Sequence, residues 1–71
     1  MRLQATIQDF RTHLGVFREQ KGFSQQELSR YSGLEVTYIQ EIENGEAIPE
    51  LIVLLTIADT LDVDVKGWFD Y

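Results

Sequence analysis

Side chains suited to chemistry concentrate in one segment of this chain, SQQELSRYSGLEVTYIQEIENG from Ser24 to Gly45. Thr37 offers a hydroxyl and a methyl group, Gln40 an amide and Glu41 a carboxylate. Such groups recognise a partner by hydrogen bonding rather than by making bonds. Covalent chemistry has no foothold: cysteine is absent, and no nucleophile–base arrangement, metal cluster or phosphate loop can be read. His13 is the one histidine and reads as a surface residue of a helix.

Two short helices must position the polar groups. Ser24 and Glu27 form an S-x-x-E capping box, which starts a helix over Gln25 to about Ser32. Gly33 ends it, since glycine accepts the left-handed conformation of a helix C-terminus. Val36, Ile39 and Ile42 then open a second apolar period that predicts a helix to about Glu43, closed by Asn44-Gly45. Two helices joined by a glycine-containing turn describe a helix-turn-helix, whose second helix usually enters the major groove of DNA. On such a helix Thr37 and Gln40 are natural base readers, because an amide favours adenine and a threonine methyl meets thymine. Two readings stand for Glu41: it accepts from a cytosine amino group, or it is a solvated carboxylate paired with a lysine or arginine.

The remaining segments read as helices too. Ile7, Phe10, Leu14 and Phe17 form one face of a helix from about Ile7 to Lys21, with Thr6 as its N-cap and Gly22 as its end. Phe23 folds back as an apolar plug, and Tyr31 packs partly in the core. Pro49 suits the first turn of a fourth helix that buries Leu51, Leu54, Leu55, Ala58 and Leu61, with Ile52, Val53 and Ile57 on its flanks. Asp64 is a fitting N-cap for a short fifth helix carrying Val65, Trp68 and Phe69. No window alternates convincingly with period two. The pattern predicts an all-α bundle of five short helices in one domain, residues 1–71, with the helix-turn-helix at 24–45.

Length and charge narrow the possibilities. A domain of 71 residues buries only ~60% of its unfolded surface, and without cysteine it has no disulfide to compensate. Oligomerisation is the remaining staple. The aromatic end, with Trp68, Phe69 and Tyr71, has more apolar surface than one helix face can bury. Leu61, Val65, Trp68 and Phe69 are therefore the expected dimer interface. No secretory signal or membrane-length apolar run is present, so a cytoplasmic protein is the default. Twelve acids against six bases give a net charge of −6 and no overall basic footprint for nucleic acid. DNA binding must then rest on local geometry.

The chain resembles the Cro/phage-repressor type of helix-turn-helix domain, the Xre-like family of the lambda-repressor-like fold. The resemblance covers about Phe10 to Phe69. It is carried by Leu14-x-x-x-Arg18, Lys21-Gly22-Phe23-Ser24-Gln25, Glu27-Leu28-Ser29, Gly33-Leu34, Ile39-x-x-Ile42-Glu43-Asn44-Gly45, Pro49 and Ala58-x-x-Leu61-x-Val63. It implies that Gln25 bonds a DNA phosphate from a helix N-terminus, where free N–H groups favour anions. The residue-level alternative is an ordinary exposed glutamine. Val36, Thr37, Tyr38, Gln40 and Glu41 match exposed positions of the recognition helix, and Asn44 matches a phosphate contact at its end. Tyr38 either touches DNA or packs on the turn. Arg18 and Glu43 match a pair that forms a buried salt bridge in close relatives. The chain departs from the family pattern at Glu35, where a Ser or Thr cap is usual. It departs again in the acidic loop Glu46–Glu50, and in a recognition helix without a basic residue.

The resulting expectation is a homodimeric, sequence-specific regulator of transcription on a near-palindromic operator in double-stranded DNA, of the restriction–modification controller or phage-repressor kind. It is not expected to be an enzyme, nor to need a cofactor, a small-molecule ligand or a membrane. The alternative is an acidic protein-interaction module that uses the same fold without binding DNA.

Overall fold

The computed structural model describes residues 3–66. In chain order they form strand β1 (Leu3–Thr6), helices α1 (Ile7–Thr12), α2 (Leu14–Gln20), α3 (Gln25–Ser32), α4 (Val36–Glu43) and α5 (Leu51–Leu61), and strand β2 (Val63–Lys66). Every helix sends at least one side chain into a common core: Phe10, Leu14, Leu28, Ile39, Ile42, Leu54, Ile57, Ala58 and Leu61, joined by Val63 of β2. No helix among the described residues is long and apolar enough to cross a membrane.

The fold is mostly helical but not all-α. Strand β2 covers the start of the expected fifth helix, whose remainder lies outside the described residues, and pairs in parallel with β1 in the register Leu3↔Val63 to Thr6↔Lys66. Val63-Asp64-Val65-Lys66 alternates apolar and polar residues, and β-branched valines suit a pleated, half-buried strand. Asp64 therefore lies within a strand instead of capping a helix. The signal spans only four residues on each side, so only the long-range pairing reveals it. Trp68, Phe69 and Tyr71 lie outside the described residues.

The long first helix is two helices. His13 has φ −121° and ψ 37°, outside the helical region, and separates α1 from α2. Beside the break the Thr12 hydroxyl donates to the Gln8 carbonyl at 2.8 Å, and His13 Nδ1 lies 3.3 Å from the Asp9 carbonyl. Local side-chain contacts of this kind compete with the helical ladder. The apolar spacing runs through the break undisturbed: Phe10 and Leu14 are both buried, and the Phe10 and Phe17 rings meet at 5.4 Å.

Helix α5 starts after Glu50, so Pro49 precedes its N-cap instead of occupying its first turn. Its core stripe is Leu54, Ile57, Ala58 and Leu61, at the spacing of one helix face. Ile57 thus belongs to the core, whereas Leu51 is 43% exposed. Leu61 is fully buried within its own protomer, so it has no surface to offer a dimer. Tyr31 is 64% exposed and meets Phe23 edge-on at 5.9 Å rather than entering the core.

Candidate nucleic-acid interface

Helices α3 and α4 occupy the spans that their capping and turn residues predict. Ser24 Oγ accepts from the Glu27 N–H at 3.0 Å, and Glu27 Oε1 accepts from the Ser24 N–H at 2.9 Å, which completes the capping box. The Ser24 N–H first, and the Ser24 side chain after it, hold the Glu27 carboxyl below its ordinary value. Gly33 takes the left-handed conformation at φ 80°, a region costly for residues with a Cβ. Within the turn the Leu34 N–H donates to Ser32 Oγ at 3.2 Å, and the Ser29 hydroxyl donates to the Leu34 carbonyl. The turn's polar groups are thereby tied to α3, which fixes where α4 begins.

Helix α4 buries Ile39 and Ile42. Its opposite side carries Thr37, Gln40, Glu41 and, at the C-cap, Asn44, all exposed. Those positions follow the i, i+3, i+4, i+7 rule and make one polar stripe along the helix. Tyr38 is half-buried and packs against the core cluster. Val36 is half-buried at the start of the helix. Glu35, the N-cap, makes no side-chain cap hydrogen bond. The first N–H groups of α4 therefore lack the side-chain acceptor that a Ser or Thr N-cap supplies.

One hydrogen-bonded network holds the stripe to the rest of the domain. Arg18 Nε donates to Glu43 Oε2 at 2.7 Å, and its Nη2 donates to Glu43 Oε1 at 3.1 Å. The two side chains are only 12% and 11% exposed. The third guanidinium nitrogen, Nη1, donates to the Phe23 carbonyl at 2.7 Å, fastening the loop before α3. Bonding to Glu43 raises the Arg18 pKa above its already high ordinary value, and burial acts against that rise. Glu43 Oε1 also accepts from Gln25 Nε2 at 3.0 Å, and Gln25 Oε1 accepts in turn from Gln40 Nε2 at 3.4 Å. Gln25 thus bridges the part-buried ion pair and the exposed stripe. No local spacing points to the Gln25–Glu43 bond, which joins residues on different helices. Asn44 Nδ2 donates to Glu46 Oε1 at 3.4 Å, so its amide is shared with the acidic loop.

A helix presented on a helix-turn-helix frame, with a continuous polar stripe opposite its core face, is built to lie in a groove. The family model described as Helix-turn-helix matches residues 16–68. The chain belongs to the Cro/phage-repressor type, Xre-like helix-turn-helix family. No curated protein matches the chain. Membership makes this a helix-turn-helix protein of the DNA-binding, transcription-regulating class, a regulatory rather than an enzymatic family. The electrostatics of its recognition segment are one-sided. No lysine or arginine occurs between Arg30 and Lys66, while Glu35, Glu41, Glu46 and Glu50 are all exposed in that span.

Proposed function

We propose that this chain is a cytoplasmic regulator of transcription that binds a near-palindromic operator as a homodimer. Helix α4 enters the major groove with Thr37, Gln40 and Glu41 toward base edges and Val36 beside them. Asn44 and Gln25 approach phosphates at its two sides. The observation that carries this reading is the exposed stripe Thr37–Gln40–Glu41–Asn44, set opposite Ile39 and Ile42 on the second helix of the motif. Gln25 Nε2 bonds Glu43 with one hydrogen, and its second remains for a phosphate. Control through the regulator's own concentration is the mode of restriction–modification controllers and phage-type repressors, and this chain fits that kind.

The dimer contact falls to the C-terminal end, with Val65 half-buried at its start and Trp68 and Phe69 beyond it. Selection from random duplexes at low salt tests the function. An enriched pseudo-palindrome, with Thr37→Ala and Gln40→Ala relaxing its preference, supports it. The acidic surface around α4 favours one other reading, a protein-interaction module. Failure to enrich any sequence, together with α4 variants that lose a protein partner, establishes that reading instead.

A further inference from the structure

A chain of hydrogen bonds runs from the Arg18–Glu43 ion pair to the exposed side of α4, and it has a direction. Glu43, ionised beside Arg18, can only accept. The Gln25 amide must therefore turn its nitrogen toward Glu43, and Nε2 donates to Glu43 Oε1 at 3.0 Å. Gln25 Oε1 is then left facing the other way, and a carbonyl oxygen is met only by a donor. Gln40 supplies the donor, with its Nε2 at 3.4 Å from Gln25 Oε1. Each amide orientation is set by the one before it, and the first is set by a carboxylate that has no alternative role.

The consequence falls on Gln40. An unconstrained glutamine on an exposed helix can turn its amide either way. With the nitrogen outward it offers two donors, which suit guanine O6 and N7. With the oxygen outward it accepts from the amino group of adenine or cytosine. The bond to Gln25 removes the first state. Gln40 keeps its Oε1 and one N–H, the pair of groups that matches adenine N6 and N7.

We infer that Gln25 is a positioning residue for base choice: through it, the Arg18–Glu43 pair commits Gln40 to accept from a base amino group, adenine before cytosine. The inference rests on the DNA-binding reading and adds the direction in which Gln40 reads. A side chain oriented before contact also has less freedom to lose on binding, which sharpens the preference.

Base analogues in the selected operator test this, placed at the pair whose preference Gln40→Ala relaxes. Deleting the amino group of the adenine or cytosine there weakens wild-type binding roughly tenfold and leaves Gln40→Ala unaffected. In Gln25→Met the Gln40 amide turns freely, so the same deletion costs no more than about threefold, while affinity for all duplexes falls alike with the lost phosphate contact. Discrimination at the pair read by Thr37 stays unchanged, which a general loosening of the fold would not allow. Adding Gln40→Glu to Gln25→Met restores the sensitivity, because a carboxylate only accepts and needs no orienting. Gln25→Met leaves both Arg18 bonds to Glu43 in place, and circular dichroism confirms its fold. Without DNA, the side-chain amide resonances of Gln40 in isotope-labelled protein shift in Gln25→Met. Unmoved resonances, or equal sensitivity to the deletion in wild type and Gln25→Met, overturn the inference and leave DNA binding standing. So does wild-type binding that depends at that pair on guanine O6 and N7, or an operator whose preferences Gln40→Ala leaves intact. If selection enriches no duplex, the inference falls together with the DNA-binding reading.

Discussion

Replacing Arg18 by methionine tests the network beneath the recognition helix. The substitution keeps an aliphatic stem of similar reach but removes three charge-assisted donors at once. Glu43 loses the bonds at 2.7 and 3.1 Å and keeps only Gln25 at 3.0 Å, and the Phe23 carbonyl loses its 2.7 Å partner. A carboxylate with 11% of its side chain exposed is then left without its countercharge. Breaking a buried pair from one side costs on the order of 3–5 kcal/mol. A domain of this length has roughly 4–10 kcal/mol to lose. In a domain of this size each kcal/mol moves Tm by about 4–8 °C, so Arg18→Met should melt at least ~12 °C lower, or not fold at 37 °C. The double variant Arg18→Met/Glu43→Leu should recover much of that loss, because apolar replacement of a whole buried pair is often neutral or better. Thermal and urea melts followed by circular dichroism, with Glu43→Leu alone as the fourth member of the cycle, give the coupling energy. A single variant that melts within ~4 °C of the parent refutes the reasoning, as does a double variant no better than the single.

Gly33→Ala should cost about 1–2 kcal/mol in a urea melt, through its φ of 80° alone, since a Cβ there meets nothing within 4 Å. Gly15→Ala should also destabilise, although alanine is the better helix former by roughly 0.5–1 kcal/mol. Its Cβ would stand 3.0 Å from Glu43 Oε1, an atom held by Arg18 and Gln25, and a raised Tm would show that the pair yields. The carboxyl of Glu27 is held lower in the folded state than in the unfolded chain, so its stabilisation is present at neutral pH. That stabilisation disappears as pH falls from about 4.5 through the folded value, so Glu27→Gln should be less stable than the parent at pH 7 and match it in acid. Operator binding should show a shallow salt dependence. Each phosphate neutralised contributes a slope of about −0.9, and α4 with its following loop supplies no cation; a slope steeper than about −4 contradicts neutral positioning contacts.

The helix-turn-helix was legible because its signals are local. Ser24 and Glu27 start α3, Gly33 stops it, and both helices lie at their expected spans. The exposed side of α4 came from the family resemblance, which also counted Val36 and Tyr38 on it, although both are half-buried. Other features were closed to a local reading. His13 interrupts a helix without disturbing its apolar spacing, so periodicity alone passes over the break. Ile57 and Leu51 exchange roles because a helix with apolar residues on nearly every side does not say which side faces inward. Glu43 was legible as a partner of Arg18 only through family resemblance, and its bond to Gln25 was not legible at all. The same limit applies to the strands, whose alternation is too brief to outweigh a plausible N-cap at Asp64.

The β1–β2 pair also shapes how this chain reaches its fold. The helices close contacts between near neighbours, which form fast and cost little chain entropy. The strands join residues sixty positions apart, Leu3 with Val63 through Thr6 with Lys66. That closure is worth its entropy only once α1 and α5 are already packed and bring the two segments together. The strands therefore act as a clasp on a finished bundle rather than as part of its nucleus. A domain built this way joins a helical unit that holds the recognition helix in place to a strand pair that ties Leu3–Thr6 to Val63–Lys66 and adds Val63 to the core.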